Sequence, residues 1–152
     1  MSEDVDRIMA VMAAAFDPHW GEAWTRRQVE DSLLLPTTRY LLVDAAGRRP
    51  EAGRAAAGFA LLRALPEEDE LLLIAVNPDQ RGRGLGRLLL DRAVQSARDH
   101  GALRLFLEMR QNNPAMHLYR AAGFAQVGQR PAYYRLADGT RLDALTMALE
   151  LH

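Results

Sequence analysis

The sequence predicts a mixed α/β domain in which helices and strands alternate around one sheet. Apolar residues recur at helical spacing over residues 4–16, which indicates an N-terminal amphipathic helix. Segments such as 39–44 and 103–109 are instead short apolar runs bounded by polar or turn residues, as is typical of strands. Because helices and strands alternate without a linker or repeat, we expect a single α/β domain over residues 1–152.

The ends of two predicted helices are marked by their sequence. Thr25 and Gln28 form a T-x-x-Q capping box that begins the second helix, and Pro36 ends it. A third helix is predicted over 84–99, because leucines recur on one face and Gly101 stands where a helix-ending glycine belongs.

The segment "NNPAMHLYRAAGF" predicts a short fourth helix. Asn113 is its predicted cap, Pro114 its first residue, and Gly123 follows its end. The acidic run 67–70 is predicted to be the turn into the third strand, which ends at Val76. The other predicted strands cover residues 39–44, 54–64, 103–109, about 124–130 and 142–149.

Composition excludes several classes of function. A net charge of −1 gives no bulk attraction to nucleic acid, and no apolar run approaches the roughly 20 residues that a membrane span needs. The chain has no cysteine, and its four histidines show no ligand spacing with carboxylates, so we predict no metal site. The N-terminus is acidic and lacks the basic region of a signal peptide, which predicts a cytoplasmic protein.

The stretch "ELLLIAVNPDQRGRGLGRLLLDRA", beginning at residue 70, joins a strand to a helix through three glycines. Gly82, Gly84 and Gly86 permit a sharp turn and leave backbone N–H groups open, while Arg81 and Arg83 add positive charge. A helix N-terminus presented in this way favours a phosphate. The loop has neither a G-K-[ST] ending nor the dinucleotide glycine spacing. The alternative is a flexible surface turn with solvated arginines.

These motifs, in this order, resemble the GNAT superfamily of acetyl-CoA-dependent N-acetyltransferases. "RGRGLG" at 81–86 fits the pattern [QR]-x-x-G-x-[GA], and "LFLEMR", "LYRAAGF", "YYR" and "RLDALTMAL" follow it. They are most similar to the ribosomal-protein-alanine N-acetyltransferases of the RimI type, over about residues 3–150. The resemblance implies the GNAT acyl-CoA N-acyltransferase fold. Helical sequence begins by residue 4, so we expect the usual first edge strand to be missing and about six strands to remain.

The resemblance also implies which residues hold acetyl-CoA, the expected co-substrate. The strand before the loop would pair with the pantetheine arm, the Val76 N–H would polarise the thioester carbonyl, and the loop would hold the pyrophosphate. An asparagine before the fourth helix would contact the same arm. The assigned positions are Ile74, Ala75, Val76, Arg81, Gly82, Arg83, Gly84, Leu85, Gly86 and either Asn112 or Asn113.

By the same resemblance, Glu108 is the general base and Tyr119 the general acid. An amine attacks a thioester only when it is neutral, and the departing thiolate benefits from a proton. The segment between them is one residue shorter than the family pattern. Glu70 is a rival base, because other GNAT enzymes place theirs at the start of the preceding strand. The alternative roles are a solvated Glu108 paired with Arg104 or Arg110, and a packing role for Tyr119.

The expected acceptor is a protein N-terminus, and a ribosomal protein is the partner that the resemblance implies. An α-amine has a pKa of about 7.7–8.0 and a lysine about 10.4, so the α-amine needs only a modest base near pH 7. Two alternatives stay open: a GNAT enzyme for a lysine side chain or small-molecule amine, and a non-catalytic acyl-CoA-binding sensor on the same fold. A homodimer is a further prediction, with a second chain covering the first sheet edge.

Overall fold

The computed structural model describes residues 2–151 and confirms the mixed α/β class. The α-helices are α1 (Ser2–Ala15), α2 (Arg26–Leu33), α3 (Leu85–Asp99) and α4 (Met116–Ala121), and short 3-10 turns lie at Pro18–Trp20 and Pro78–Gln80. The strands are β1 (Thr38–Val43), β2 (Gly58–Leu65), β3 (Glu68–Val76), β4 (Arg104–Arg110), β5 (Ala125–Arg135) and β6 (Arg141–Glu150).

The strands form one six-stranded sheet in the order β1-β2-β3-β4-β6-β5. The predicted number of strands is therefore confirmed, and β1 is the edge strand at the N-terminal side. Every neighbouring pair is antiparallel except β3 and β4, which are parallel. Coverage of the β1 edge by a second chain stays a prediction.

The parallel pairing of β3 with β4 is short, and the two strands separate where it ends. Partners run only from Glu68–Arg104 to Glu70–Phe106. Beyond that point β3 stays paired with β2, where Leu72 is an extra residue in the register, while β4 stays paired with β6. A β-bulge of this kind bends a strand and increases its twist. The two central strands therefore separate and leave one edge of β3 without a partner strand.

Helices cover both faces of the sheet. Leu89 and Leu90 of α3 pack with Leu105 and Met147 on one face. On the opposite face, α1 and α2 pack against β1, β2 and β3 through a second buried cluster. That cluster includes Ile8, Met12, Val29, Phe59 and Leu61. Burying both faces of the sheet in this way fixes the positions of the β3 and β4 ends, where the strands separate.

The helix ends mostly agree with the sequence. Thr25 Oγ1 accepts from the Gln28 N–H at 3.2 Å and Gln28 Oε1 accepts from the Thr25 N–H at 2.8 Å, so the predicted capping box is formed. The regular part of α4 begins at Met116, later than predicted. Asn113 nevertheless accepts from the Ala115 N–H at 2.9 Å, and it therefore caps the tight turn that leads into α4.

The acidic run at 67–70 was predicted to be a turn, and this is wrong for three of its four residues. The turn is formed by Pro66 and Glu67, which has a φ of +67°. Glu68, Asp69 and Glu70 already belong to β3. They form ion pairs with Arg104, Arg39 and Arg63, respectively. Such pairing with arginines of other strands in the sheet favours extended backbone over a solvated turn.

Helix α1 is tied to the β1–β2 loop through a buried carboxylate. Asp4 accepts hydrogen bonds from Arg7 and Arg49, both at 2.7 Å, and from the Tyr40 hydroxyl. Arg7 also donates to the backbone carbonyl of Glu51 at 2.6 Å. Burial favours the neutral form of Asp4, but these hydrogen bonds outweigh it and lower its pKa to about 2.

This carboxylate predicts an acid-sensitive contribution to stability. Because the folded pKa of Asp4 lies below its unfolded value, the contribution is complete above about pH 4 and is lost as pH falls towards 2. At neutral pH we expect Asp4→Asn to lower the free energy of unfolding by about 2 kcal/mol. Urea unfolding between pH 2 and 7 tests this: the gap between wild type and variant should narrow on acidification. A gap independent of pH would contradict it.

No helix within residues 2–151 is both long and apolar enough to cross a membrane.

Candidate active site

A cleft of about 700 Å³ lies where β3 and β4 separate. One wall is the end of β3 and the loop that follows it, and the other is the end of β4 with the start of α4. The segment between α1 and α2 lies across one part of the cleft. Since clefts at such breaks in a sheet commonly bind ligands, this is the candidate site.

The end of β3 presents backbone polar groups to this cleft. The Asn77 N–H donates to the Ala57 carbonyl at 2.7 Å, on the side facing β2. Neighbouring N–H groups of a strand point to opposite edges, so the N–H groups of Val76 and Ile74 point into the cleft. An extended ligand arm has these groups available for pairing in the manner of an added strand.

The glycine loop turns the chain from β3 into α3. Gly82 and Gly84 have φ values of +80° and +78°, a conformation that favours glycine. Gly84 occupies the N-cap position of α3 but has no side chain that could accept hydrogen bonds from the first turn. The N–H groups of that turn therefore stay open to a ligand. Arg81 lines the cleft beside them, whereas Arg83 is exposed outside it.

At Gly86 the fold has room for a side chain, so packing within the protein does not require a glycine there. A Cβ added there would lie 3.6 Å from Leu118 and 3.9 Å from Val76, which are ordinary contact distances. The residue also lines the cleft. The missing side chain therefore lets a ligand approach the backbone of α3 closely.

Glu108 projects from β4 into the cleft, and its side chain is 25% exposed. Its ionic partner is Arg130 of β5, with Nε 3.6 Å from Oε2. The alternative pairing with Arg104 or Arg110 is not formed, because those arginines pair with Glu68 and Glu22. The long ion pair with Arg130 therefore restrains the Glu108 carboxylate only weakly at the cleft.

Tyr119 reaches the same cleft from α4, and the residue is only 6% exposed. Its ring packs against Phe124, with a centroid separation of 5.9 Å. Burial raises the pKa of its hydroxyl well above the usual value, and the nearby charge of Glu22 raises it further. The hydroxyl therefore remains protonated throughout the neutral pH range.

Glu70 lies outside this cleft. It is on the parallel-paired part of β3, opposite Arg63 of β2, and forms an ion pair with that arginine. The cleft thus brings Glu108 and Tyr119 together, and does not bring Glu70 to them.

Residues 5–124 match the model of the Acetyltransferase (GNAT) family. This chain belongs to that family. The GNAT fold is also found in a solved relative, the ribosomal-protein-S18-alanine N-acetyltransferase from Escherichia coli. The two structures superpose with a TM-score of 0.81 at 28% identity, over 99% of this chain and 90% of that one.

Two curated relatives are named as the same kind of enzyme. The [ribosomal protein bS18]-alanine N-acetyltransferase of Escherichia coli K12 is 40% identical over 96 residues, which are 62% of this chain and 64% of that protein. A Bacillus subtilis protein, named a putative enzyme of the same kind, is 31% identical over 87% of this chain and 82% of its own length. The chain spans about 64% of the length of the first of these relatives.

The two asparagines proposed as ligands differ in position. Asn113 lines the cleft, and its Oδ1 is engaged by the Ala115 N–H, which leaves the amide nitrogen for a ligand. Asn112 is exposed and has a φ of +67°. A tight turn at Asn112 therefore joins β4 to the segment that leads into α4.

Three further residues line this GNAT cleft and were not predicted from the sequence to belong to the site. Trp20 and Glu22 come from the segment between α1 and α2, and Arg110 follows Glu108 by two residues on β4. The Arg110 guanidinium lies 3.7 Å from the centre of the Trp20 ring, and its Nε is 3.3 Å from Glu22 Oε1. The meeting of Trp20 and Glu22 with β4 is a tertiary contact, which no local spacing could reveal.

Across the described part of the chain, no group of three or more His, Cys, Asp or Glu side chains is arranged to hold a metal ion.

Proposed function

We propose that the chain is an acetyl-CoA-dependent N-acetyltransferase that moves an acetyl group directly to a protein N-terminal α-amine. The observation that carries the proposal is one continuous cleft, which joins the free β3 edge and glycine loop to Glu108 and Tyr119. The substrate class follows the relatives named as ribosomal-protein-alanine N-acetyltransferases. The cytoplasm, as expected from the sequence, is the proposed location, and a homodimer is proposed on the same basis.

Acetyl-CoA fits the donor end of the cleft, where it would supply an activated thioester. Ile74, Ala75 and Val76 would hold the pantetheine arm, with the Val76 N–H near the thioester carbonyl. The backbone from Arg81 to Gly86 would hold the pyrophosphate, with Arg83 contributing charge from its exposed position. Asn113 is the favoured asparagine, because it lines the cleft.

Glu108 is the proposed general base. It would accept a proton from the ammonium group of the acceptor, either directly or through a water molecule. Its ion pair with Arg130 is long and partly exposed, so it restrains the carboxylate weakly. Glu70 is less suited to this role, because it lies outside the cleft and is bound by Arg63.

Tyr119 is the proposed general acid. Its raised pKa keeps the proton on the hydroxyl until a thiolate forms beside it. The same buried surroundings would raise the pKa of the departing thiol, which brings the two groups closer in acidity.

The proposal is tested by transfer of labelled acetyl to three acceptors. They are a peptide beginning Ala-Arg, the same peptide blocked at its N-terminus with an internal lysine, and a small polyamine. All 19 basic residues of the chain are arginine, so lysine self-acetylation does not add background. We expect label on the first peptide alone. Label on either other acceptor would favour the lysine or small-amine alternative, and no label despite acetyl-CoA binding would favour the sensor.

Gly84→Ala is expected to weaken acetyl-CoA binding. An L residue at φ +78° is strained by roughly 1–2 kcal/mol, and relief of this strain would displace the N–H groups that bind the pyrophosphate. Gly139→Ala is the matched control: Gly139 has φ +89° and open space around its Cβ position, but lies in the β5–β6 turn. Calorimetry should show a raised Kd for Gly84→Ala only. Equal Kd values in both variants would contradict the assignment.

A further inference from the structure

Arg110 is a buried cation whose hydrogen bonds are incomplete. Its side chain is 7% exposed, and Glu22, its ionic partner, is 24% exposed. Within residues 2–151, its Nη1 atom is buried without a hydrogen-bond partner, and its Nε lies 3.3 Å from Glu22 Oε1 without forming a hydrogen bond. Leaving charged donors unmet in a low-dielectric site is costly, so an arrangement of this kind favours a ligand with acceptor atoms.

The position of Arg110 shows which part of a substrate it faces. Residues two apart on a strand point to the same face, so Arg110 lies beside Glu108 on β4. Trp20 covers one side of its guanidinium, and Glu22 lies at its Nε. Both residues line the cleft with Arg110 and Glu108. The cation therefore stands next to the place where the acceptor amine must lie.

We propose that Arg110, held in place by Trp20 and Glu22, binds the carbonyl oxygen adjacent to the acceptor amine and so selects α-amino carbonyl groups. This inference rests on the proposed function and deepens it. A peptide N-terminus carries its first carbonyl one carbon from the amine-bearing carbon. The amine of a lysine side chain has only methylene groups at that distance, so it would leave the arginine without a hydrogen-bond acceptor.

The charges at this end of the cleft favour a neutral carbonyl over a free carboxylate. Glu22 offsets Arg110, and Arg130 offsets Glu108, so the four groups together carry no net charge. Because each arginine is already offset by a glutamate, no surplus positive charge is left to neutralise a carboxylate, whereas a neutral carbonyl needs only a hydrogen-bond donor. A peptide, rather than a free amino acid, is thus the substrate that this subsite fits.

The test compares two acceptors in wild type and in Arg110→Met, which keeps an apolar chain against Trp20. One peptide begins with alanine, and the other begins with β-alanine, which moves the carbonyl one carbon further from the amine. A hydrogen bond from a charged donor is worth about 10- to 100-fold in affinity. We expect Arg110→Met to lower kcat/KM for the alanyl peptide by about that factor, mainly through KM. The β-alanyl peptide should lose less than about 3-fold.

Two controls distinguish the loss of this subsite from a general loss of folded protein. Arg110→Met should bind acetyl-CoA with the wild-type Kd, since the donor end of the cleft is unchanged. Should that variant fail to fold, Glu22→Gln retains Arg110 and loosens it. It should raise KM for the alanyl peptide more than for the β-alanyl peptide. Equal losses for both peptides would overturn the inference alone. A wild type that acetylates neither peptide would overturn the proposed function as well.

Discussion

Glu108→Gln is expected to lower kcat for an alanyl peptide by roughly 10-fold at pH 7, where about a tenth of the α-amine is already neutral, with little change in the affinity for acetyl-CoA. Glutamine keeps the size and hydrogen-bonding capacity of the side chain but cannot take the proton of the ammonium group. The deficit should shrink by pH 9, because an α-amine with a pKa of about 7.7–8.0 is then already neutral. Steady-state kinetics between pH 6 and 9 measures both effects.

Glu70→Gln is the matched variant for this experiment. Glu70 is bound by Arg63 and lies outside the cleft, so we expect its rate to remain within about 2-fold of the wild-type rate. The opposite pattern, with a large loss in Glu70→Gln and a small one in Glu108→Gln, would transfer the role of base to Glu70.

Tyr119→Phe is expected to lower kcat by about 100-fold and to leave the protein folded. Phenylalanine fills the same space beside Phe124 and removes only the hydroxyl. Tyr133→Phe is the control, because Tyr133 is a half-exposed tyrosine on β5, outside the cleft. Similar losses in both variants would show that the assay reports stability and not proton transfer.

Tyr119 also predicts the alkaline side of the pH profile. A raised pKa means that the protonated hydroxyl, the form that donates, persists to higher pH than an ordinary tyrosine. Between pH 8 and 10, the turnover rate of the wild-type protein should therefore follow the same pH dependence as that of Tyr119→Phe. A decline near pH 9 that is absent from the variant would show that the hydroxyl loses its proton near the ordinary tyrosine pKa, and would contradict the raised pKa.

The parts of the fold that depend on neighbouring residues could be predicted from the sequence. The Thr25–Gln28 capping box is formed by residues three apart, and both of its hydrogen bonds are present. The glycine loop likewise depends on local backbone conformation, since Gly82 and Gly84 both adopt positive φ. The six strands follow from short apolar runs, and their number agrees with the sheet.

The parts that depend on strands meeting in space could not be predicted. The acidic run was expected to be a turn, but arginines on three other strands pair with three of its residues and hold them in β3. The partner of Glu108 is Arg130, two strands away in the sheet order. Trp20 and Glu22 meet Arg110 only after the segment between α1 and α2 folds over the cleft.

The most direct test of the central claim is the affinity of two bisubstrate adducts. In one, CoA is joined through an acetyl link to the α-amine of a peptide beginning Ala-Arg. In the other, it is joined to an internal lysine of the same peptide, blocked at its N-terminus. If one cleft holds donor and α-amine together, the first adduct should bind about 100-fold more tightly than acetyl-CoA, and the second no more tightly than acetyl-CoA. An α-amine adduct that binds only as well as acetyl-CoA would contradict direct transfer to a protein N-terminus in this cleft.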